Sequence, residues 1–192
     1  MASPSRAEPP LDLIYVSVDI EAAGQYPPKF SMLQIGACDV FRPDLTFTCN
    51  LKPINDNVDE EALAVSGLSF EELKTTGMDA KAAMSAFADW LASLGSPEQK
   101  RVMVGQAAPF DWQFINYYFR EFTGGNPFEF TCIDNKALFM GARGCRWDET
   151  GAKDMDRVLG TTHGKTHDAL EDAVYQAKLF RGIWELARGT SA

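Results

Sequence analysis

The sequence predicts an α/β domain in which a mixed sheet is covered by helices. Three apolar segments with strand character come first, and a region of helical periodicity follows them. The rest of the chain then alternates strand, helix, strand and helix, a succession typical of α/β folds. With 192 residues, 45% of them hydrophobic, the chain suits one domain with a sizeable core.

The first predicted strand, residues 13–21, ends in two carboxylates. Its apolar residues alternate, at Ile14, Val16, Val18 and Ile20. Because side chains two residues apart share a strand face, Asp19 and Glu21 project together at the end of the strand. Carboxylates this close repel each other unless a cation lies between them, so the pair indicates a divalent metal site. Asp-x-Glu alone is a weak signal and needs further carboxylates from elsewhere in the chain.

The next segments predict two more strands and two capped helices. Residues 32–41 and 45–51 have strand character, and Arg42-Pro43-Asp44 between them has turn chemistry, which indicates an antiparallel meander. Ser69-x-x-Glu72 is a capping-box pattern before a short helix. Asp79 can cap a longer helix with an apolar stripe formed by Ala83, Met84, Phe87, Ala88 and Leu91.

The second half of the chain predicts two strands, two helices and a long loop. Residues 101–105 form a short buried strand, and a helix over residues 111–122 stops at Gly124-Gly125. Residues 128–133 are the fifth strand candidate. Residues 141–152 are rich in glycine and low in periodicity, so we expect a loop, and the last helix covers residues 169–187.

The composition argues against a membrane-spanning protein and against a secreted one. No apolar stretch approaches the ~18 to 20 residues that cross a membrane. The start of the chain, residues 1–10, lacks the apolar core of a secretory signal and predicts a disordered tail. The four cysteines are widely spaced without a Cys-x-x-Cys pair, which favours buried thiols in a reducing cytosol over disulfides or zinc ligands. We therefore expect a cytoplasmic protein.

The net charge of −9 argues against a protein that clamps long duplexes, since such proteins are usually basic. The charge is also uneven. Residues 54–99 hold nine acids and two bases, whereas residues 136–165 hold six bases and four acids. The basic segment is either ordinary solvated surface or a face turned to an anionic substrate, and the sequence leaves both interpretations open.

Two further sites carry carboxylates that could join Asp19 and Glu21. Asp111 begins a predicted helix, where it would be either a cap for free backbone N–H groups or a metal ligand. Asp172 lies beside the apolar stripe of the last helix, where a carboxylate is costly unless it is paired or binds metal.

The histidine and the acids around Asp172 also allow simpler interpretations. Asp168 and Glu171 have the spacing of a capping box, so Asp168 can be structural while Asp172 points elsewhere. His167 could be an exposed loop histidine. A metal pair with His163 is disfavoured because Gly164 argues against a helix there.

Three motifs in order resemble those of the DEDDh family, the DnaQ-like 3′–5′ exonucleases of the ribonuclease H-like superfamily. They are Asp19-x-Glu21, Phe110-Asp111-x-x-Phe114 and His167-x4-Asp172. The resemblance covers about residues 11–187 and implies a ribonuclease H-like mixed five-stranded sheet flanked by helices, as one exonuclease domain over residues 11–190. Dimerisation is common in this family, although no segment of the sequence marks a homodimer interface.

The resemblance also implies a catalytic role for each residue. Asp19 would bridge two ions of Mg²⁺ or Mn²⁺, Glu21 and Asp172 would complete one ion site, and Asp111 would hold the second ion. His167 would be the general base, and an imidazole with an ordinary pKa of about 6.5 suits that role near neutral pH. Because clustered carboxylates repel each other, we expect either metal to raise the melting temperature.

Departures from the family pattern concern the substrate and leave the predicted ligands intact. Ala22-Ala23-Gly24 stands where many relatives have Thr-Thr-Gly, so hydroxyl contacts to the terminal nucleotide would be missing, while backbone N–H contacts from Ala22 to Gly24 could remain. Gln106-Ala107 replaces the usual His-Asn. The segment Gln25–Phe30 is an unusual connection that could shape the substrate pocket.

We expect a metal-dependent 3′–5′ exonuclease that acts on the 3′ end of short or single-stranded nucleic acid. RNA is slightly favoured because no accessory domain or polymerase-binding segment is visible, although contacts to the 2′-OH decide this choice. Phe110 could stack on a base or fill the core, and Phe114 fits the core better. The alternatives are a DNA proofreading or repair exonuclease and a catalytically silent nucleotide-binding module, which the complete ligand set and His167 disfavour.

Overall fold

The computed structural model describes residues 9–128, 130–162 and 167–189. Within these ranges one five-stranded sheet is flanked by seven α-helices, which confirms the predicted mixed sheet. The strands are β1 Leu13–Ala22, β2 Met32–Asp39, β3 Thr46–Asn50, β4 Lys100–Gly105 and β5 Cys132–Asp134. The helices are α1 Glu60–Ser66, α2 Phe70–Thr76, α3 Ala80–Ser93, α4 Pro109–Thr123, α5 Asn135–Arg143, α6 Ala152–Leu159 and α7 Ala169–Arg188.

The strand order of the sheet is β3-β2-β1-β4-β5. β1, β2 and β3 form the predicted antiparallel meander, and β4 and β5 lie parallel to β1. The C-terminal ends of β1, β4 and β5 therefore share one edge of the sheet. Ligands of open α/β sheets bind at such an edge, and it is here that β1 delivers its two carboxylates.

Alternation along β1 separates two hydrophobic cores. Val18 and the other even-numbered residues pack against α3 and α4. Tyr15, on the opposite face, packs against Phe180 of α7, with ring centroids 5.2 Å apart. Asp19 and Glu21 have the same parity as Tyr15, so they lie on the face of the sheet that α7 covers.

Three predicted helix caps are confirmed. Ser69 accepts a hydrogen bond from the backbone N–H of Glu72 at 3.3 Å, and Asp79 accepts one from Lys81 at 3.0 Å. Asp168 accepts from the backbone N–H groups of two residues in the first turn of α7. The last cap matters for the site, because it fixes the start of the helix that carries Asp172.

The fifth strand is shorter than predicted. Only Cys132–Asp134 pairs with β4, whereas the prediction covered residues 128–133. Phe128 turns into the core instead, where it is 2% exposed and packs near Phe87 and Phe119. The side chain of Asn126 accepts a hydrogen bond from the backbone N–H of Phe128, so this stretch is a turn that anchors an aromatic side chain.

The loop predicted over residues 141–152 is wrong, because the helix α5 extends into it, a 3₁₀ turn occupies Trp147–Glu149 and α6 begins at its end. Asp134 caps α5, and Gly144 ends it in the left-handed conformation. Each helix is short and buries few apolar side chains, chiefly Phe139 in α5 and Met155 in α6. So few buried positions leave almost no periodic signal in the sequence.

The remaining predictions concern the tail, the membrane and the cysteines. Residues 1–8 of the predicted tail, and His163 of the disfavoured metal pair, lie outside the described residues. Among the helices that are described, none combines the length and apolar character needed to cross a membrane. Cys38 and Cys49 are buried free thiols, and Cys132 and Cys145 are partly buried free thiols.

Candidate active site

The predicted carboxylates and histidine converge at the edge of the sheet where β1 ends. One carboxylate oxygen of Glu21, one of Asp172 and a ring nitrogen of His167 all lie within 4.8 Å of one another. The charges of Asp111, Asp172 and Glu21 all raise the pKa of Asp19. Residues from β1, α4 and α7, which together span more than 150 positions of the sequence, therefore form one cluster.

Asp19 is held by a glutamine that the sequence prediction missed. Gln176, 5% exposed, donates a hydrogen bond from Nε2 to Oδ1 of Asp19 at 2.5 Å. Its Oε1 accepts from the backbone N–H of Gln106 at 2.7 Å, which ties α7 to the end of β4. Burial raises the pKa of Asp19 well above its ordinary value, the neighbouring carboxylates add to this, and the bond from Gln176 opposes it. Gln176 lies one helical turn after Asp172, and this spacing was the available signal.

Asp111 does not cap its helix. The capping residue of α4 is Ala108, and Asp111 lies in the first turn, 4% exposed. Its Oδ1 accepts a hydrogen bond from the backbone N–H of Ile20 at 3.0 Å, between the two carboxylates of β1. Burial raises its pKa to about 8, while the bond from Ile20 opposes the shift and the charges of Glu21 and Asp134 add to it.

His167 adopts a backbone conformation that is uncommon for a residue with a side chain. Its φ is 47°, in the left-handed region, and its side chain is exposed. Non-glycine residues in this region are strained, and such residues are enriched at functional sites. The turn brings the imidazole beside Glu21 immediately before Asp168 starts α7. The ring is therefore open to solvent on one side and adjacent to carboxylates on the other.

Two residues of β2 seat the first turn of α7 on the sheet. Gly36 pairs with Asp19, and a Cβ at Gly36 would lie 2.1 Å from the carbonyl carbon of Ala169. Gln34 pairs with Glu21, and its Oε1 accepts from the backbone N–H of Ala169 at 3.0 Å. The missing side chain at Gly36 allows the helix to approach closely enough for Asp172 to reach the β1 carboxylates.

The potential ligand atoms of the cluster suit divalent cations that prefer oxygen ligands. The cluster offers carboxylate oxygens from four residues, with one imidazole beside them and no thiolate among the described members. Burial and then the charges of Asp172 and Asp168 raise the pKa of Glu21 to about 7. Protein carboxylates of this kind suit Mg²⁺ or Mn²⁺, whose charge would relieve the mutual repulsion.

The metal-free protein is expected to lose stability as the pH rises from about 5 to about 8. The folded pKa of Glu21 is raised from 4.5 to about 7 and that of Asp111 from 3.8 to about 8. In this window the folded chain holds protons that the unfolded chain has released, so the added stability is fully present only below the unfolded pKa values and is lost progressively as pH rises to the raised ones. Thermal melts in EDTA across this range measure it, and a melting temperature that is flat or rises with pH contradicts it.

The residues predicted to touch substrate differ in their accessibility. Ala22 is 7% exposed and belongs to the core, and Gly24 is buried, with Phe30 so close that a Cβ would lie 2.3 Å from its ring. The backbone N–H of Ala23 already donates to the carbonyl of Ser31 at 2.8 Å. The proposed contacts of Ala22 and Gly24 to substrate therefore stay a prediction that only backbone atoms could satisfy.

The two phenylalanines of the second motif differ in burial, as the sequence suggested. Phe114 is fully buried in the core, and Phe110 is 41% exposed at the start of α4. The loop after β1 is tied to α4 by a hydrogen bond from Gln113 Nε2 to the carbonyl of Gln25 at 2.9 Å. The next residue in that loop, Tyr26, is 47% exposed. One accessible aromatic side chain, that of Phe110, therefore lies directly beside Asp111 of the carboxylate cluster.

Sequence comparisons place the chain among exonucleases. A family model described as an exonuclease matches residues 16–180. The chain is 43% identical over 174 residues to a protein of Escherichia coli named 3′–5′ DNA exonuclease Cap18, a match that covers 91% of this chain and 93% of the relative. The two chains therefore correspond over nearly their whole lengths.

Solved structures share the fold. The nuclease domain of 3′hExo, described as a DEDDh family member bound to rAMP, superposes with a TM-score of 0.71 at 16% identity over 89% of this chain and 91% of that one. Escherichia coli exonuclease I in complex with a dT13 oligonucleotide superposes with a TM-score of 0.68 at 14% identity over 88% of this chain and 40% of that one. Both likenesses confirm the ribonuclease H-like fold class. The chain belongs to the DEDDh family of 3′–5′ exonucleases.

Proposed function

We propose that this 3′–5′ exonuclease is metal-dependent and removes nucleotides from the 3′ end of DNA. The observation that supports metal-dependent hydrolysis is the convergence of Asp19, Glu21, Asp111 and Asp172 beside His167. The relative named a DNA exonuclease, at 43% identity, supports DNA over the RNA that the sequence alone favoured.

Two divalent ions, Mg²⁺ or Mn²⁺, fit the four carboxylates. Asp19 would be shared by the two ions, Glu21 and Asp172 would hold one of them, and Asp111 would hold the other. When bound, the ions supply positive charge that neutralises the scissile phosphate, activates water and stabilises the leaving oxygen. The raised pKa values of Glu21 and Asp111 have the same cause as the metal affinity, which is negative charge crowded into a poorly solvated edge.

His167 is proposed as the general base that takes the proton from the attacking water. A ring nitrogen lies within 4.8 Å of oxygens of Glu21 and Asp172, so water bound between them would be in its reach. The exposure of the side chain allows the proton to pass on to solvent. The cap formed by Asp168 holds the backbone directly after the histidine and limits its movement.

Gln176 is proposed as a positioning residue for Asp19. A carboxylate that bridges two cations must present both oxygens in a defined direction, and the bond from Nε2 to Oδ1 restricts rotation of the carboxyl group. Because Oε1 accepts from the backbone of Gln106, the amide is oriented from both ends. Phe110, exposed beside Asp111, is proposed to stack on the base of the terminal nucleotide.

The test is a cleavage assay on 5′-labelled single-stranded DNA and RNA of one sequence. With Mg²⁺ or Mn²⁺ we expect a ladder of products shortened by single nucleotides from the 3′ end, faster on DNA, and none in EDTA. His167→Ala is expected to slow cleavage by ~10²–10⁴-fold, the usual contribution of a general base. Faster cleavage of RNA would overturn the substrate assignment. Equal cleavage by His167→Ala would reveal a contaminant, and binding without cleavage would favour the silent module.

A further inference from the structure

A second accessible aromatic surface lies on α5 and the 3₁₀ turn that follows it. Trp147 is 53% exposed, and the ammonium of Lys136 lies 4.4 Å from the centroid of its ring. We call this pair the Lys136–Trp147 platform. A cation over one face of an indole ring restricts the movement of the ring, and about half of the surface of Trp147 stays accessible to solvent.

The platform lies at the same edge of the sheet as the carboxylate cluster. α5 begins directly after the C-terminal end of β5, which is parallel to β4. Oδ1 of Asp134 accepts hydrogen bonds from the backbone N–H of Ala107 at 3.0 Å and of Lys136 at 3.1 Å. The start of α5 is thereby bonded to the connection between β4 and α4, and this connection leads directly to Asp111.

The platform places a cationic side chain over an indole in a chain whose net charge is negative. Lys136 and Arg143 lie seven positions apart on α5 and so share one helix face. Among the described residues, Arg146 and Arg157 form ion pairs with neighbouring acids, while Lys136 and Arg143 form none. A chain with a net charge of −9 therefore keeps one cation without an ion pair directly over an exposed indole, and a second on the same face of α5. Basic side chains interleaved with aromatic ones suit single-stranded nucleic acid.

We propose that the Lys136–Trp147 platform binds a nucleotide of the substrate strand on the 5′ side of the scissile phosphate. Trp147 stacks on its base, and Lys136 neutralises a backbone phosphate. The proposal rests on the proposed exonuclease function and deepens it. The carboxylate cluster repels the strand without metal, so attachment further along the strand must come from a cationic surface. Aromatic stacking does not depend on the identity of the base. An enzyme that shortens a strand one nucleotide at a time must accept every base, so stacking suits it.

Binding measured in EDTA tests the platform without cleavage. Trp147→Ala is expected to weaken the affinity for a labelled single-stranded DNA oligomer about 10-fold, within the range for loss of one base–aromatic stack. Trp147→Phe should retain most of the affinity, because a phenyl ring also stacks. Lys136→Gln should reduce the slope of log Kd against log salt by about 0.7, the loss of one phosphate contact on a single strand. DNA should also quench tryptophan fluorescence in the wild type and much less in Trp147→Phe.

Arg188→Gln is the matched control. Arg188 lies over the ring of Trp184, with its guanidinium carbon 3.3 Å from the ring centroid, at the far end of α7. A 20-residue helix is about 30 Å long, so this cation is remote from the cluster. We expect unchanged DNA affinity in this variant. A uniform loss of affinity in Trp147→Ala, Trp147→Phe and Arg188→Gln would indicate general destabilisation and overturn the proposal.

Cleavage kinetics separate failure of the platform from failure of the proposed function. In Trp147→Ala the KM for long oligomers should rise about 10-fold, with kcat and the KM for a dinucleotide unchanged. If the wild type cleaves DNA and the variant binds and cleaves at all lengths like the wild type, the platform is wrong and the exonuclease stands. If the wild type binds through Trp147 but cleaves nothing, the platform stands and the proposed chemistry is wrong.

Discussion

Asp19→Asn is expected to reduce exonuclease activity by about 10³-fold while making the metal-free protein more stable. Asp19 is the proposed shared ligand, and metal ions supply several kcal/mol of transition-state stabilisation, of which ~4 kcal/mol corresponds to 10³-fold in rate. The stability gain follows from electrostatics, because burial and three neighbouring carboxylates disfavour the charge of Asp19. Thermal melts and initial rates measure both effects.

Metal titrations make this prediction more specific. Millimolar Mg²⁺ or Mn²⁺ should raise the melting temperature of the wild type and raise that of Asp19→Asn much less. Asp89→Asn is the matched control, since Asp89 is an exposed residue of α3 on the other face of the sheet. If metal stabilises all three proteins equally, or none of them, the assignment of the carboxylates as metal ligands is wrong.

Gly36→Ala is expected to lower activity by about 10²-fold, the cost of displacing catalytic groups by roughly 1 Å. The new Cβ would lie 2.1 to 2.2 Å from backbone atoms of Ala169 and Leu170, and backbone cannot rotate away as a flexible side chain can. The first turn of α7 must shift and carry Asp172 away from Glu21. We also expect a destabilisation of ~1–3 kcal/mol, typical of overpacking, measured by chemical unfolding.

Gly125→Ala serves as the control for this substitution. A Cβ at Gly125 meets no described atom within 4 Å, so activity and stability should stay close to those of the wild type. A Gly36→Ala protein that is destabilised yet fully active would show that Asp172 does not depend on the seating of α7. Full activity and full stability together would contradict the packing argument itself.

The candidate catalytic residues could be predicted because their signal is local and chemical. Asp19 and Glu21 are two positions apart on a strand, and any fold that keeps the strand also keeps them on one face. His167 and Asp172 are likewise placed by the start of a single helix. Only the convergence of these pieces with Asp111 required the resemblance to a family, because no short-range pattern links β1 to α4.

The predictions that were wrong share a physical cause. The loop expected over residues 141–152 contains parts of two helices that bury few large apolar residues, so periodicity had little to detect. Phe128 has strand propensity but packs instead beside the stacked rings of Phe87 and Phe119. Secondary-structure propensity reflects the local preference of a residue. The two short helices and the position of Phe128 depend instead on packing partners that are distant in sequence.

By itself, the sequence determined the α/β class, the order of the main elements and the candidate metal ligands, because strand alternation and helix caps depend on neighbouring residues. The tertiary structure alone decided which groups support and extend that site. Gln176 holds Asp19 because α7 crosses β1, and Gly36 matters because a helix backbone lies directly over it. Lys136 and Trp147 are candidates for substrate binding because the hydrogen bonds of Asp134 hold the start of α5 at the edge of the sheet where the carboxylates lie. Apart from the bond between Asp134 and Lys136, these contacts join residues at least eleven positions apart, a distance over which folding, and not sequence spacing, brings groups together.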